Sequence, residues 1–100
     1  MAFTPFDLTG KVAVVTGGNG GIGLGMAQGL AAAGADIAIW GRNAQKNADA
    51  LEALKTHGTR VEALEVDVAD ENAVVDAMAE SLARLGRIDT CIANAGVGGG

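Results

Sequence analysis

Thr16-Gly17-Gly18-Asn19-Gly20-Gly21-Ile22-Gly23 sits where the residue pattern changes. Before it, Val12, Ala13, Val14 and Val15 form an unbroken apolar run of strand length, the signature of a strand buried on both faces of a parallel sheet. After it, Ile22, Met26 and Leu30, with Ala27 and Ala31, recur at helical spacing up to Ala33. A glycine-rich turn between a strand and a helix has a physical use. Backbone N–H groups without Cβ atoms can approach a phosphate closely, and a helix N-terminus adds about half a positive charge.

Outward from this turn the alternation continues. Gly34 stops the first helix, and Ile37 to Trp40 reads as a second strand. Ala44, Ala48, Leu51 and Leu54 mark a second helix that closes near His57 and Gly58. Val61 to Val68 is a third strand, interrupted by Glu62 and Glu65 as an edge strand would be. Val74, Val75, Met78, Leu82 and Leu85 mark a third helix ended by Gly86, and Ile88 to Ala93 is a fourth strand. Right-handed crossovers put the first two helices on one face and send the third across the sheet. The expected fold is α/β, a doubly wound parallel Rossmann sheet of strand order 3-2-1-4. A complete sheet of that type has at least two more strands. Residues 1–100 therefore read as the N-terminal part of one dinucleotide-binding domain, incomplete at its C-terminal side.

Composition narrows the chemistry. The chain has 100 residues, 49% hydrophobic and 19% charged, enough apolar surface for one small core. Seven Lys and Arg against twelve Asp and Glu give a net charge of -5, without the basic surplus of a nucleic-acid binder. One Cys and one His leave no Cys/His metal site and no internal disulfide. No tyrosine is present, so these residues cannot run a mechanism that needs a tyrosine acid or base. The N-terminus lacks a signal-peptide pattern, and no apolar run approaches the roughly 20 residues of a spanning helix. A cytoplasmic protein that makes no membrane contact is expected.

The glycine run fits three registers: G-x-G-x-x-G through Gly18, Gly20 and Gly23; TGxxxGxG through Thr16, Gly17, Gly21 and Gly23; and TGxxGxxG through Gly17, Gly20 and Gly23. The first expects an acid at the end of the second strand to hold the ribose hydroxyls. Asp36 is at the wrong end of that strand, and the expected place reads Trp40-Gly41-Arg42-Asn43. Arg42 is suited to a 2′-phosphate instead.

The third strand ends Val66-Asp67-Val68 and the fourth ends Cys91-Ile92-Ala93-Asn94-Ala95-Gly96. With TGxxxGxG, these segments resemble the short-chain dehydrogenase/reductase family in its ordinary single-domain branch, which carries an Asp-Val pair and NNAG at these places. Ala93 replaces the first Asn of NNAG. The resemblance runs from Gly10 to Gly96 and favours the TGxxxGxG register. It implies an oxidoreductase that moves hydride between a nicotinamide dinucleotide and a carbonyl or alcohol, and a homo-oligomer in the complete protein. It implies that Gly17, Asn19, Gly21, Ile22 and Gly23 surround the adenosine ribose and pyrophosphate. Asp67 would accept from the adenine amino group, Val68 would contact the ring, and Asn94, Ala95 and Gly96 would line the ribose side and brace the sheet. Arg42 would favour NADP(H) over NAD(H). The family's second basic residue, just before the later loop glycine, is here Gly20. Its catalytic Ser, Tyr-x-x-x-Lys pair and further Asn lie downstream of NAG and are not among these residues, so no catalytic residue and no metal ligand is assigned. The rival readings are a dinucleotide-binding module without turnover and an inactive fragment. They are separated by whether a Ser and a Tyr-x-x-x-Lys follow.

Other residues have plainer readings. Trp40 is expected in the core, pointing away from the position of Gly41. Cys91, inside an apolar strand, is expected to be buried and inert. His57 reads as a surface residue at a helix end, and Asp70 and Glu71 as cap and first turn of the third helix; the plainer alternative for Arg42 is a solvated residue at the start of the second. Phe3 and Phe6 are expected to dock on the sheet or on a neighbouring subunit.

Overall fold

A computed structural model describes residues 7–94, so Phe3, Phe6, Ala95 and Gly96 lie outside the described residues. The elements alternate as the residue pattern predicts: β1 (Val12–Thr16), α1 (Gly21–Ala32), β2 (Asp36–Gly41), α2 (Ala44–Lys55), β3 (Val61–Glu65), α3 (Glu71–Leu85) and β4 (Thr90–Ala93). All pairings are parallel, in the order β3-β2-β1-β4, the first part of a doubly wound sheet.

The two faces of the sheet bury separate cores. Ala13 and Val15 of β1 and Ile37 and Ile39 of β2 pack against Ala27 and Ala31 of α1 and Ala50 and Leu54 of α2. Val12 and Val14 of β1 and Ala38 and Trp40 of β2 pack with Ala77 and Leu85 of α3. Alternate strand residues thus serve opposite layers, which is why the strands read as continuous apolar runs. β3 is the edge, as Glu62 and Glu65 suggest.

The helices bury only part of the stripe that large apolar residues mark, and that part includes Leu54 and Leu85. In α1 the buried line is Gly23, Ala27 and Ala31, whereas Ile22 is 76% exposed. In α3 it is Ala77, Ser81 and Leu85, and Val75, Met78 and Leu82 are exposed. Small residues at Gly23, Ala27 and Ala31 of α1 and at Ala77 and Ser81 of α3 let the helix axes come close to the sheet.

Cys91 is exposed rather than buried. It is paired in register with Val14 and so faces the α3 layer. That layer packs on Val12 and Val14 of β1 and on Ala38 and Trp40 of β2, with Trp40 Nε1 donating to Ser81 Oγ and the Arg60 guanidinium donating to the Leu85 carbonyl. Among the described residues, no residue of β4 belongs to that core cluster. His57 is half-buried rather than on the surface, because its ring meets the side-chain oxygen of Gln28 and ties the end of α2 to α1.

Candidate functional site

The turn after β1 lies at the carboxyl ends of the strands, where open α/β sheets hold ligands. Gly17 N donates to the Trp40 carbonyl at 2.8 Å, and Val66 N donates to the Gly41 carbonyl at 3.1 Å. Asn94 N donates to Thr16 Oγ1 at 2.9 Å. These bonds stitch the glycine turn, the Gly41-Arg42 corner, the Asp67-Val68 loop and Asn94 along one edge of the sheet.

α1 rises from this edge with no side-chain cap at Gly20 and no acid in its first turn. α2 and α3 are both capped, by Asn43 Oδ1 on Lys46 N and by Asp70 Oδ1 on Asn72 N and Ala73 N. The first N–H groups of α1 therefore keep their donor capacity and the positive end of the helix dipole.

Two glycines of the turn have different reasons to be glycine. Gly23 is buried against the turn it follows, where a Cβ would lie 2.1 Å from the Gly17 carbonyl oxygen and 2.7 Å from Asn94 Nδ2. Gly21 has φ +55°, a backbone region costly for any residue with a Cβ, yet a Cβ there would meet nothing within 4 Å. One glycine allows close packing; the other bends the chain and leaves open space.

Asn19 is half-buried, and its Nδ2 donates to Asn47 Oδ1 at 3.0 Å. Asn47 in turn donates to the carbonyls of Gly41 at 2.9 Å and Leu64 at 3.2 Å. Asn47 belongs to the site framework and was not singled out in the sequence. Its only signal there was a polar residue on the helix face that carries Ala50 and Leu54.

Arg42 is exposed and takes no side-chain partner among the described residues. It precedes Asn43, the N-cap of α2, so it stands outside the helix rather than at its start. Asp67 is exposed, and its Oδ1 accepts from Ala69 N at 2.9 Å in a turn that leads into α3. Val68 is 37% exposed beside it. Asp36, by contrast, is structural: its carboxylate accepts from the backbone N and guanidinium of Arg60 and ties β2 to β3. Among the described residues, no group of three His, Cys, Asp or Glu is placed to hold a metal.

The short chain dehydrogenase family profile matches residues 11–100. The chain belongs to this family. It is 42% identical over 92 residues to a sorbose reductase of Candida albicans, spanning 92% of this chain and 33% of that protein. It is 40% identical over 92 residues to the gluconate 5-dehydrogenase of Gluconobacter oxydans, spanning 92% and 36%. Among solved structures, the L-sorbose reductase of Gluconobacter frateurii complexed with NADPH and L-sorbose superposes with a TM-score of 0.88 at 37% identity, covering 93% of this chain and 36% of that one. An NAD+-bound xylitol dehydrogenase superposes with a TM-score of 0.82 at 32% identity, covering 84% and 32%. The chain thus spans about a third of the length of these relatives.

Proposed function

We propose that this chain is the N-terminal, cofactor-holding part of the single Rossmann domain of a cytoplasmic oxidoreductase. The enzyme binds NADP(H) in preference to NAD(H) and exchanges hydride with a small carbonyl or alcohol. The observation that carries this reading is the start of α1: uncapped, free of acid, and opening above the strand ends through Gly20 and Gly21, where a Cβ would meet nothing within 4 Å. Such an end suits a pyrophosphate.

The surrounding residues fit the rest of a dinucleotide. Gly17, Asn19, Gly21, Ile22 and Gly23 would cradle the ribose and pyrophosphate. Arg42, unpaired by any acid among the described residues, would take a 2′-phosphate. Asp67 has a second carboxylate oxygen that meets no donor among the described residues, and it would accept from the adenine amino group beside Val68. Asn94, with Ala95 and Gly96 following it, would brace the ribose side. The bound nicotinamide supplies the hydride, and these residues supply orientation and charge. The sugar and polyol names of the relatives support a polyhydroxylated substrate for the complete protein.

The test is a turnover assay on the full-length protein with NADPH and a panel of ketoses, following loss of the reduced cofactor. Turnover with at least one carbonyl is expected. Tight NADPH binding with no turnover on any carbonyl would contradict the enzyme reading and select a binding module.

A further inference from the structure

Gly41 stands where an acid would grip the ribose hydroxyls of NAD(H). Its φ is not in the left-handed region, so the backbone there accepts any L-residue. What forbids a side chain is the Asn19–Asn47 bridge. A Cβ on Gly41 would lie 2.2 Å from Asn19 Nδ2, 2.5 Å from Asn47 Oδ1 and 2.8 Å from Asn19 Cγ. We propose that this amide bridge, passing over Gly41, is a steric gate on cofactor choice. It holds the glycine turn against α2 and keeps position 41 without a side chain, which leaves Arg42 as the residue that reads the ribose 2′ position. The proposal deepens the dinucleotide reading above and rests on it.

The two amides are not equally free to give way. Asn47 is 4% exposed and satisfies two main-chain carbonyls, of Gly41 and Leu64, at 2.9 and 3.2 Å. Swinging it aside would take its own buried N–H groups and the Leu64 carbonyl away from their bonds, a costly change, while the Gly41 carbonyl would keep Val66 N. Asn19 is half-buried, sits on the turn, and has Asn47 as its side-chain partner. Any side chain at position 41 must therefore move the Asn19 side chain and break its bridge from the glycine turn to Asn47 of α2. Positions 19, 41 and 47 form one unit, and an acid at 41 finds room where position 19 is also cut back.

The experiment is a four-variant cycle on the full-length protein: unmutated, Asn19→Gly, Gly41→Asp, and the double variant. NADH and NADPH affinities and thermal midpoints are measured for each. Gly41→Asp alone is expected to weaken both cofactors and lower the midpoint. Adding Asn19→Gly is expected to raise NADH affinity about tenfold or more above the single variant, the size of coupling seen between contacting residues. If Gly41→Asp does not fold, Gly41→Ala carries the same Cβ without charge, and its lowered midpoint should recover in the Asn19→Gly background. Additive effects, or a Gly41→Asp variant that binds NADPH normally, overturn the gate and leave the dinucleotide reading standing. Failure of the unmutated protein to bind either cofactor overturns both.

Discussion

Trp40 donates its indole Nε1–H to Ser81 Oγ at 3.1 Å, joining the end of β2 to the middle of α3 inside the core. Both residues are buried, at 2% and 0% exposure, so neither group can turn to water instead. Ser81→Ala strands the N–H and should cost about 1–3 kcal/mol of unfolding free energy. In a Trp40→Phe background, which has no N–H to strand, the same change should be close to neutral. Denaturant unfolding of the four proteins checks this; an equal cost of Ser81→Ala in both backgrounds would show that the bond is not the source.

Gly21 and Gly23 should fail in different ways. Gly21→Val adds a side chain that points into open space, with a left-handed backbone penalty of about 1–2 kcal/mol, so the variant should fold and lose NADPH binding. Gly23→Val has no room against the Gly17 carbonyl and should lose stability and binding together. Calorimetric titration beside thermal unfolding separates the two. Normal NADPH affinity in folded Gly21→Val would mean that the phosphates lie elsewhere.

Asp89 closes the lower end of the β1–β4 pair. Its Oδ2 accepts from Val12 N at 2.8 Å, its own N–H donates to the Val12 carbonyl, and its Oδ1 accepts from Arg87. The Arg87 side-chain bond first, then the Val12 N–H, hold this carboxyl below the usual carboxylate value. A group depressed in the folded state stabilises above its unfolded pKa of about 3.9, and the contribution is lost as pH falls from there through the folded value. Asp89→Ala should therefore lower the thermal midpoint at neutral pH and flatten its fall below about pH 4. An acid limb identical to that of the unmutated protein would contradict this.

The 100-residue chain expressed alone should self-associate even under reducing conditions. β4 ends the sheet, and Val75 and Leu82 are 61% and 50% exposed along α3. A strand edge without a partner among the described residues is a template for pairing, and exposed apolar side chains add a second contact surface. Light scattering after gel filtration reads the outcome. A monodisperse monomer with one sharp thermal transition would refute it.

The layer order was legible because four apolar runs and three glycine stops punctuate this chain clearly. The strand-to-helix position of the glycine turn and the missing acid at Gly41 were legible for the same reason: both are local. What escaped was tertiary. Helical spacing marked Ala27 and Ala31, which are buried, but also Ile22 and Met78, which are exposed, and it passed over Ala77 and Ser81, because contact distance as well as hydrophobicity sets the buried stripe. The exposure of Cys91 was not legible, because an apolar strand pattern does not say which of its faces is covered. Asn47 was missed because a buried amide is justified by the carbonyls it meets, and those come from β2 and β3.

The central claim, a dinucleotide read at its 2′ position by Arg42, is tested most directly by NADPH and NADH dissociation constants of the full-length protein with and without Arg42→Ala. A charge-assisted bond to the 2′-phosphate should make NADPH tighter by about 1.5–3 kcal/mol, roughly ten- to a hundredfold. Arg42→Ala should erase that difference and leave NADH affinity unchanged. Equal affinities for the two cofactors in the unmutated protein would contradict the account.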